Sequence, residues 1–177
     1  MEPAQYILPK EMNRMKDAFS HLDAQGNVRM VDVGAKVPSK RVAIAEAVVE
    51  LAPATLELLR QSALPKGDVL ACAKIGGIMA AKRASQIIPL CHSLNLSYAD
   101  IRFEVRDTPP QVRIEAEARV TGNTGVEMEA IVAAQSAAAI IYDMCKAVQR
   151  DIVISRVRLL HKSGGKSGEF NASELPA

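Results

Sequence analysis

Asp143 and Lys146 stand three residues apart in Thr124–Arg150, a stretch otherwise made mostly of alanine and larger apolar residues. On a helix, side chains at that spacing lie about 5–6 Å from each other. An acid and an amine held together in largely dry surroundings can pass protons to and from a substrate. The plain alternative is a routine intrahelical ion pair on a wet surface. A buried pair would carry a desolvation cost that stability alone does not justify, which favours chemistry. Stepped at about 100° per residue, Glu129, Gln135, Ser136, Asp143, Lys146 and Arg150 share one polar stripe. Glu129 therefore joins the candidates. Glu127, three residues after Thr124, has a structural role available as partner in a capping box.

Other segments offer positive charge. Lys66-Gly67-Asp68 precedes an apolar helical pattern, so its amine would stand at a helix N-terminus, where a phosphate or a developing oxyanion is favoured. From the triplet alone, a solvated loop lysine with Asp68 as a cap is the favoured reading. Leu90-Cys91-His92 follows Pro89 and places an imidazole beside a thiol, suited either to holding a heterocycle or to a structural histidine. Lys162 to Gly168, KSGGKSG, combines close-approach glycines with two lysines, Lys162 and Lys166, as a phosphate cradle or a flexible tail. It is not a Walker A loop, because Leu160 stands where the first glycine belongs and nine residues follow Gly168. Asp32 and Lys36, flanking Gly34, read as solvent-exposed loop charges.

The elements that would carry these residues are readable from periodicity. Val42–Leu51 reads as a strand, and Pro53 opens a helix through Gln61. A second helix is predicted from Val69 to about Ile88, stopped by Pro89. Strands follow at Leu96–Arg106 and Gln111–Thr121, joined by the turn Asp107-Thr108-Pro109-Pro110. The second alternates: Val112, Ile114, Ala116, Ala118 and Val120 face one way, Arg113, Glu115, Glu117 and Arg119 the other. The long helix, Thr124–Arg150, needs cover from its sheet and from a second subunit. Asp151–His161 forms the last strand. Upstream, Gln25-Gly26-Asn27 marks a turn and Val28–Val33 a strand-like patch. The order strand, helices, strand, strand, helix, strand predicts an α+β, ferredoxin-like fold: a four-stranded antiparallel sheet with helices on one face. Residues 1–18 read as an extension, 19–170 as one catalytic domain and 171–177 as a tail.

Composition narrows the function. Three Phe, three Tyr and no Trp argue against base stacking, and a net charge of +2 is too small to suggest duplex nucleic acid or a membrane surface. Cys72, Cys91 and Cys145 are widely spaced and odd in number, which fits a reducing compartment and no structural metal. Cytoplasm is the expected location, with no membrane span and no targeting segment.

Five strings occur in order: Lys66-Gly67-Asp68, Ile88-Pro89-Leu90-Cys91-His92, TGVEMEA at 124–130, Tyr142-Asp143-Met144 with Lys146-Ala147, and KSGGKSG at 162–168. Over about residues 19–170 the chain closely resembles the cyclic pyranopterin monophosphate synthase family of molybdenum cofactor biosynthesis. The resemblance implies a ferredoxin-like subunit in a homohexamer, a trimer of dimers, with active sites at subunit interfaces. It implies conversion of 3',8-cyclo-7,8-dihydroguanosine 5'-triphosphate to cyclic pyranopterin monophosphate, with release of pyrophosphate. By position Asp143, Lys146 and Lys66 match the family's catalytic residues. Leu90, Cys91 and His92 match one substrate-binding segment, and Met128 and Glu129, with Glu127 beside them, match another. Arg41, Lys162 and Lys166 correspond to phosphate-facing cations. No tightly bound cofactor is implied; Mg2+ would accompany the triphosphate. The pathway neighbours are a radical S-adenosylmethionine GTP cyclase and molybdopterin synthase. The chain departs from the family at Ser93, where proline is usual, and at Gly77, where alanine is commoner. Two rival readings are a non-catalytic nucleotide-binding regulator, which would not need the Asp143–Lys146 pair, and an RNA-binding module, which the scarce aromatics disfavour.

Overall fold

The computed structural model describes residues 21–23 and 25–173. They belong to two compact units, one ending at Asp32 and one beginning at Val33. In the first, the turn at Gln25-Gly26-Asn27 forms, with the Asp23 carboxylate accepting from the Gln25 and Asn27 amides at 2.9 and 2.8 Å. The strand expected over Val28–Val33 does not form. Leu22 and Val28 make a single antiparallel bridge, and Val28 is exposed, with no sheet face to pack on. The expected extension 1–18 lies outside the described residues, as do residues 174–177 of the expected tail.

The second unit contains β1 (Ser39–Glu50), α1 (Pro53–Arg60), α2 (Val69–Ala81), α3 (Ala84–Ile87), β2 (Tyr98–Asp107), β3 (Pro110–Gly122), α4 (Glu127–Cys145), β4 (Val153–Ser163) and β5 (Phe170–Asn171). The sheet is antiparallel throughout, in the order β2-β3-β1-β4-β5. It has five strands where four are expected. The addition is the two-residue β5, too short to leave a periodic signature in sequence.

The alternation in β3 sorts the two faces. Ala43, Ala45, Ala47 and Val49 of β1, and Val112, Ile114, Ala116 and Ala118 of β3, are fully buried in the core with α4. The opposite face carries paired charges. Glu46 is 2% exposed there, held by Arg113 at 2.8 Å and Arg158 at 2.7 Å, with Arg156 at 3.4 Å. Burial pushes the Glu46 carboxyl up, but the hydrogen bonds from Arg158 and Arg113 outweigh it and hold the group below its ordinary value.

The helix expected from Val69 to Ile88 is two helices. At Arg83 the chain tightens, its amide bonding the Ala80 carbonyl three residues back, and restarts at the buried Ala84. α2 packs closely on α4 because it carries Gly77. A Cβ there would overlap Ile101 and come within 2.9 Å of the Ala133 carbonyl oxygen. The glycine where alanine is commoner thus has a packing reason.

α4 is shorter than Thr124–Arg150 at both ends. The expected capping box does not form: Val126 stands at the N-cap and makes no side-chain cap hydrogen bond. The Glu127 carboxylate instead folds back over Gly125, where a Cβ would collide with it, and bonds Lys162. At the far end the last turn tightens through Val148 N–H to the Cys145 carbonyl, 2.9 Å. α4 is long and apolar enough to cross a membrane, yet its apolar residues lie in the core. The sheet and α2 supply that cover within this chain.

Candidate functional site

The candidate residues gather at the two ends of α4, sixteen residues and about 24 Å apart. At the C-terminal end, Asp143 is held between two amines. Its Oδ1 lies 2.6 Å from Lys146 Nζ and its Oδ2 lies 2.7 Å from Lys66 Nζ. Lys66 also donates to the Asp143 backbone oxygen at 2.9 Å, satisfying one of the carbonyls that every helix leaves unpaired at its C-terminus. Gly67 (φ 87°) makes the turn that delivers Lys66, and Asp68 then caps α2 by accepting from the Ala71 amide at 3.0 Å.

The dry surroundings expected for Asp143 and Lys146 are not found. Their side chains are 53% and 52% exposed. The charged hydrogen bonds from Lys146 and then Lys66 pull the Asp143 carboxyl down to about 2, and Asp143 in turn raises the Lys146 ammonium. α4 buries its other side against the sheet and α2, which leaves this edge to solvent. In the isolated chain these groups are a carboxylate and an ammonium, neither poised for proton transfer at neutral pH.

The N-terminal end is built from strands. Antiparallel pairing of β1 with β4 sets Val42 opposite Ser163 and Ala43 opposite Lys162, bringing Arg41 beside the glycine-rich loop from over 120 residues away. Arg41 is fixed by donating to the Gly122 and Asn123 carbonyls at 2.9 and 3.2 Å. Lys162 Nζ bonds Glu127 Oε1 at 2.9 Å, and both side chains are 28% exposed. Gly164 (φ 91°) permits a left-handed backbone and passes against the Lys40 carbonyl, where a Cβ has no room.

Two adjoining pockets result. One, of about 180 Å³, lies against the N-terminus of α4 and is lined by Thr124, Gly125, Glu127, Arg41, Lys162 and Ser167, among others. The other, of about 680 Å³, is lined by Lys36, Val37, Pro38, Ser39, Arg41, Gly165, Lys166 and Ser167. Among the described residues, three cations and no carboxylate line the larger pocket. The Ser39 hydroxyl is buried without a hydrogen-bond partner among the described residues. Lys36 is exposed, as expected of a loop charge, and it also lines both pockets. No local signal marked it; only the β1–β4 pairing brings the start of β1 to the loop after β4. Unpaired amides at the start of α4 add to the positive field.

Glu129 does not lie on an exposed polar stripe. It is 2% exposed, and burial raises its carboxyl above the ordinary value. Its Oε1 is 3.6 Å from Cys91 Sγ, and its Oε2 has no hydrogen-bond partner among the described residues. Burial, then the charge of Glu129, pushes the Cys91 thiol up to about 11, so this cysteine is no nucleophile as it stands. Leu90, His92 and Met128 are half-buried. At Ser93 the loop is tied by a hydroxyl bond of 3.1 Å to Ser85, where the family's proline would stiffen it by ring closure.

The α+β chain thus carries a basic, glycine-rich pocket at one end of α4 and a separate Lys-Asp-Lys cluster at the other. Residues 30–165 match the MoaC family. The chain is 78% identical over 161 residues to the cyclic pyranopterin monophosphate synthase of Desulfovibrio desulfuricans, covering 91% of this chain and 99% of that protein. It is 67% identical to the synthase of Nitratidesulfovibrio vulgaris, over 88% of this chain and 96% of that protein. To that of Oleidesulfovibrio alaskensis it is 62% identical, over 89% and 99%. This chain belongs to the MoaC family.

Proposed function

We propose that the protein is an enzyme of molybdenum cofactor biosynthesis, acting as its 78% identical relative is named to act. The substrate is 3',8-cyclo-7,8-dihydroguanosine 5'-triphosphate; the products are cyclic pyranopterin monophosphate and pyrophosphate. The observation that carries the reading is the larger pocket, where Lys36, Arg41 and Lys166 converge with no carboxylate among the described lining residues. Such a wall suits a triphosphate and the charge that builds on departing pyrophosphate. A substrate hydroxyl oxygen bonds to the α-phosphorus, the bond from that phosphorus to the bridging oxygen breaks, and the hydroxyl proton passes to a base.

Asp143, Lys146 and Lys66 supply the proton transfers. The base portion of the substrate is held by Leu90, Cys91, His92, Met128 and Glu129. A GTP-sized molecule does not touch both ends of a helix as long as α4. The site is therefore shared: one subunit brings the cationic pocket, its neighbour the Lys-Asp-Lys cluster, within a homohexamer built as a trimer of dimers. Closure by the neighbour and the substrate strips water from Asp143 and the lysines, shifting their proton affinities back toward the range where acid–base catalysis works. The four long strands, in the order β2-β3-β1-β4, form the ferredoxin-like sheet, with β5 added at its edge. Among the described residues no three or more His, Cys, Asp or Glu cluster to hold a metal ion. Mg2+, where it takes part, arrives on the triphosphate, and we place the enzyme in the cytoplasm.

The test is turnover of the cyclic dihydro-GTP intermediate, following pyrophosphate and the fluorescent oxidised pterin. Both products form with the wild-type chain and vanish together in Lys66→Ala and Lys146→Ala. Binding without either product would mark a nucleotide-binding regulator and overturn the proposal.

A further inference from the structure

The glycine-rich loop is one side of a hairpin whose closing strand has almost nothing apolar to hold it. β5 is two residues long, and Phe170 is 44% exposed, so core packing does not anchor it. What fixes it is polar. His161 pairs with Asn171 and Lys162 with Phe170 across the β4–β5 ladder. Asn171 Nδ2 donates to Glu169 Oε1 at 2.9 Å, which turns its Oδ1 toward His161 Nδ1 at 2.8 Å. The imidazole therefore carries its proton on Nδ1 and donates it to Asn171. Glu169 Oε1 lies 3.9 Å from the same ring nitrogen. Just outside, the Ala172 amide donates to the Leu160 carbonyl at 2.8 Å and Arg158 donates to the Ser173 carbonyl at 3.0 Å. Within the loop, the Gly168 amide reaches the Gly165 carbonyl at 3.3 Å, and Lys162 Nζ reaches Ser167 Oγ at 3.4 Å.

We propose that the His161–Asn171–Glu169 chain is a clasp that positions the glycine-rich loop, and with it Lys162 and Lys166, for the substrate's phosphates. The inference rests on the reading of those lysines as phosphate-facing. None of the three clasp residues lines either cationic pocket, so they act through the loop. A hinge with three glycines at positive φ (Gly164, Gly165 and Gly168) has many backbone conformations to lose on binding. Closing the hairpin beforehand removes that loss and strengthens phosphate binding without touching the reacting atoms.

The experiment is steady-state kinetics of the full-length enzyme with the cyclic dihydro-GTP intermediate, with inorganic pyrophosphate as the binding probe. Asn171→Ala and His161→Ala are expected to raise KM and the pyrophosphate inhibition constant together, by roughly three- to ten-fold, with kcat almost unchanged. His161→Gln, which retains an N–H donor, should recover most of the loss. Amide exchange at 164–168 should quicken in Asn171→Ala while amides of β1 and β3 keep their protection. Lys162→Ala separates the two ideas. If it weakens pyrophosphate while both clasp variants bind normally, the clasp is overturned and the phosphate reading stands. If Lys162→Ala binds pyrophosphate normally, both fall. A clasp variant that loses kcat at constant KM also overturns the clasp.

Discussion

The two ends of α4 solve opposite electrostatic problems. At its start, Glu127 and Lys162 are half-buried, the helix dipole is positive, and Lys36, Arg41 and Lys166 stand around a formed pocket. At its finish, Lys66, Asp143 and Lys146 lie in the open, with the amines neutralising both the helix end and the carboxylate. The first end has a formed, cation-lined pocket, the one proposed here for the substrate's phosphates. The second has its acid and amines touching but solvated, so the proton transfers proposed for them would need cover. A cation-lined pocket can be built within one chain, whereas the proposed acid–base role of the second cluster would need water excluded from it.

The most severe way to break the contrast is Asp143→Asn. It should lower turnover by about 10²- to 10⁴-fold, with circular dichroism and light scattering unchanged; normal turnover would remove Asp143 from the chemistry. Mixing that variant with Lys162→Ala under conditions of subunit exchange tests whether two chains share a site. Activity in the mixture should exceed the average of the two variants assayed apart, because hybrid sites hold one intact half from each chain; a mixture no better than that average would confine the site to one chain. Lys166→Ala is milder, raising KM for the triphosphate by about ten-fold, with a weaker salt dependence than wild type and kcat little changed. Gly77→Ala leaves both ends of α4 alone and disturbs its middle. Urea titration should show a loss of about 1–3 kcal/mol from overpacking, although alanine has the better helix propensity.

The smallest effect is on acid stability. The folded pKa of Asp143 is about 2 against an ordinary 3.8. Its contribution is thus present above about pH 4 and lost as pH falls toward 2. Wild type should exceed Asp143→Asn slightly in stability near neutrality, and the two curves should converge by about pH 2. Exposure of all three partners keeps the gap small.

Much of this was legible in the chain itself. The alternation of β3 identified the face that meets α4, and the order of helical and strand patterns matches the four long strands and their helices. The spacing of Asp143 and Lys146 did place them within 2.6 Å, and the KSGGKSG string did form a glycine-dependent loop. Local pattern determines these because backbone periodicity and side-chain spacing are local properties.

Burial and partnership were decided elsewhere. Glu127 became an ion-pair partner of Lys162 because β4 ends beside the start of α4. Glu129 went inside, and Asp143 stayed outside, according to which sectors of α4 the sheet and α2 cover. Lys36 joined Arg41 and Lys166 only through the pairing of strands more than 100 residues apart. A residue's solvation and its distant neighbours depend on where the whole chain packs, so residue type and spacing set the available chemistry while tertiary structure selected which groups share a field and a pocket.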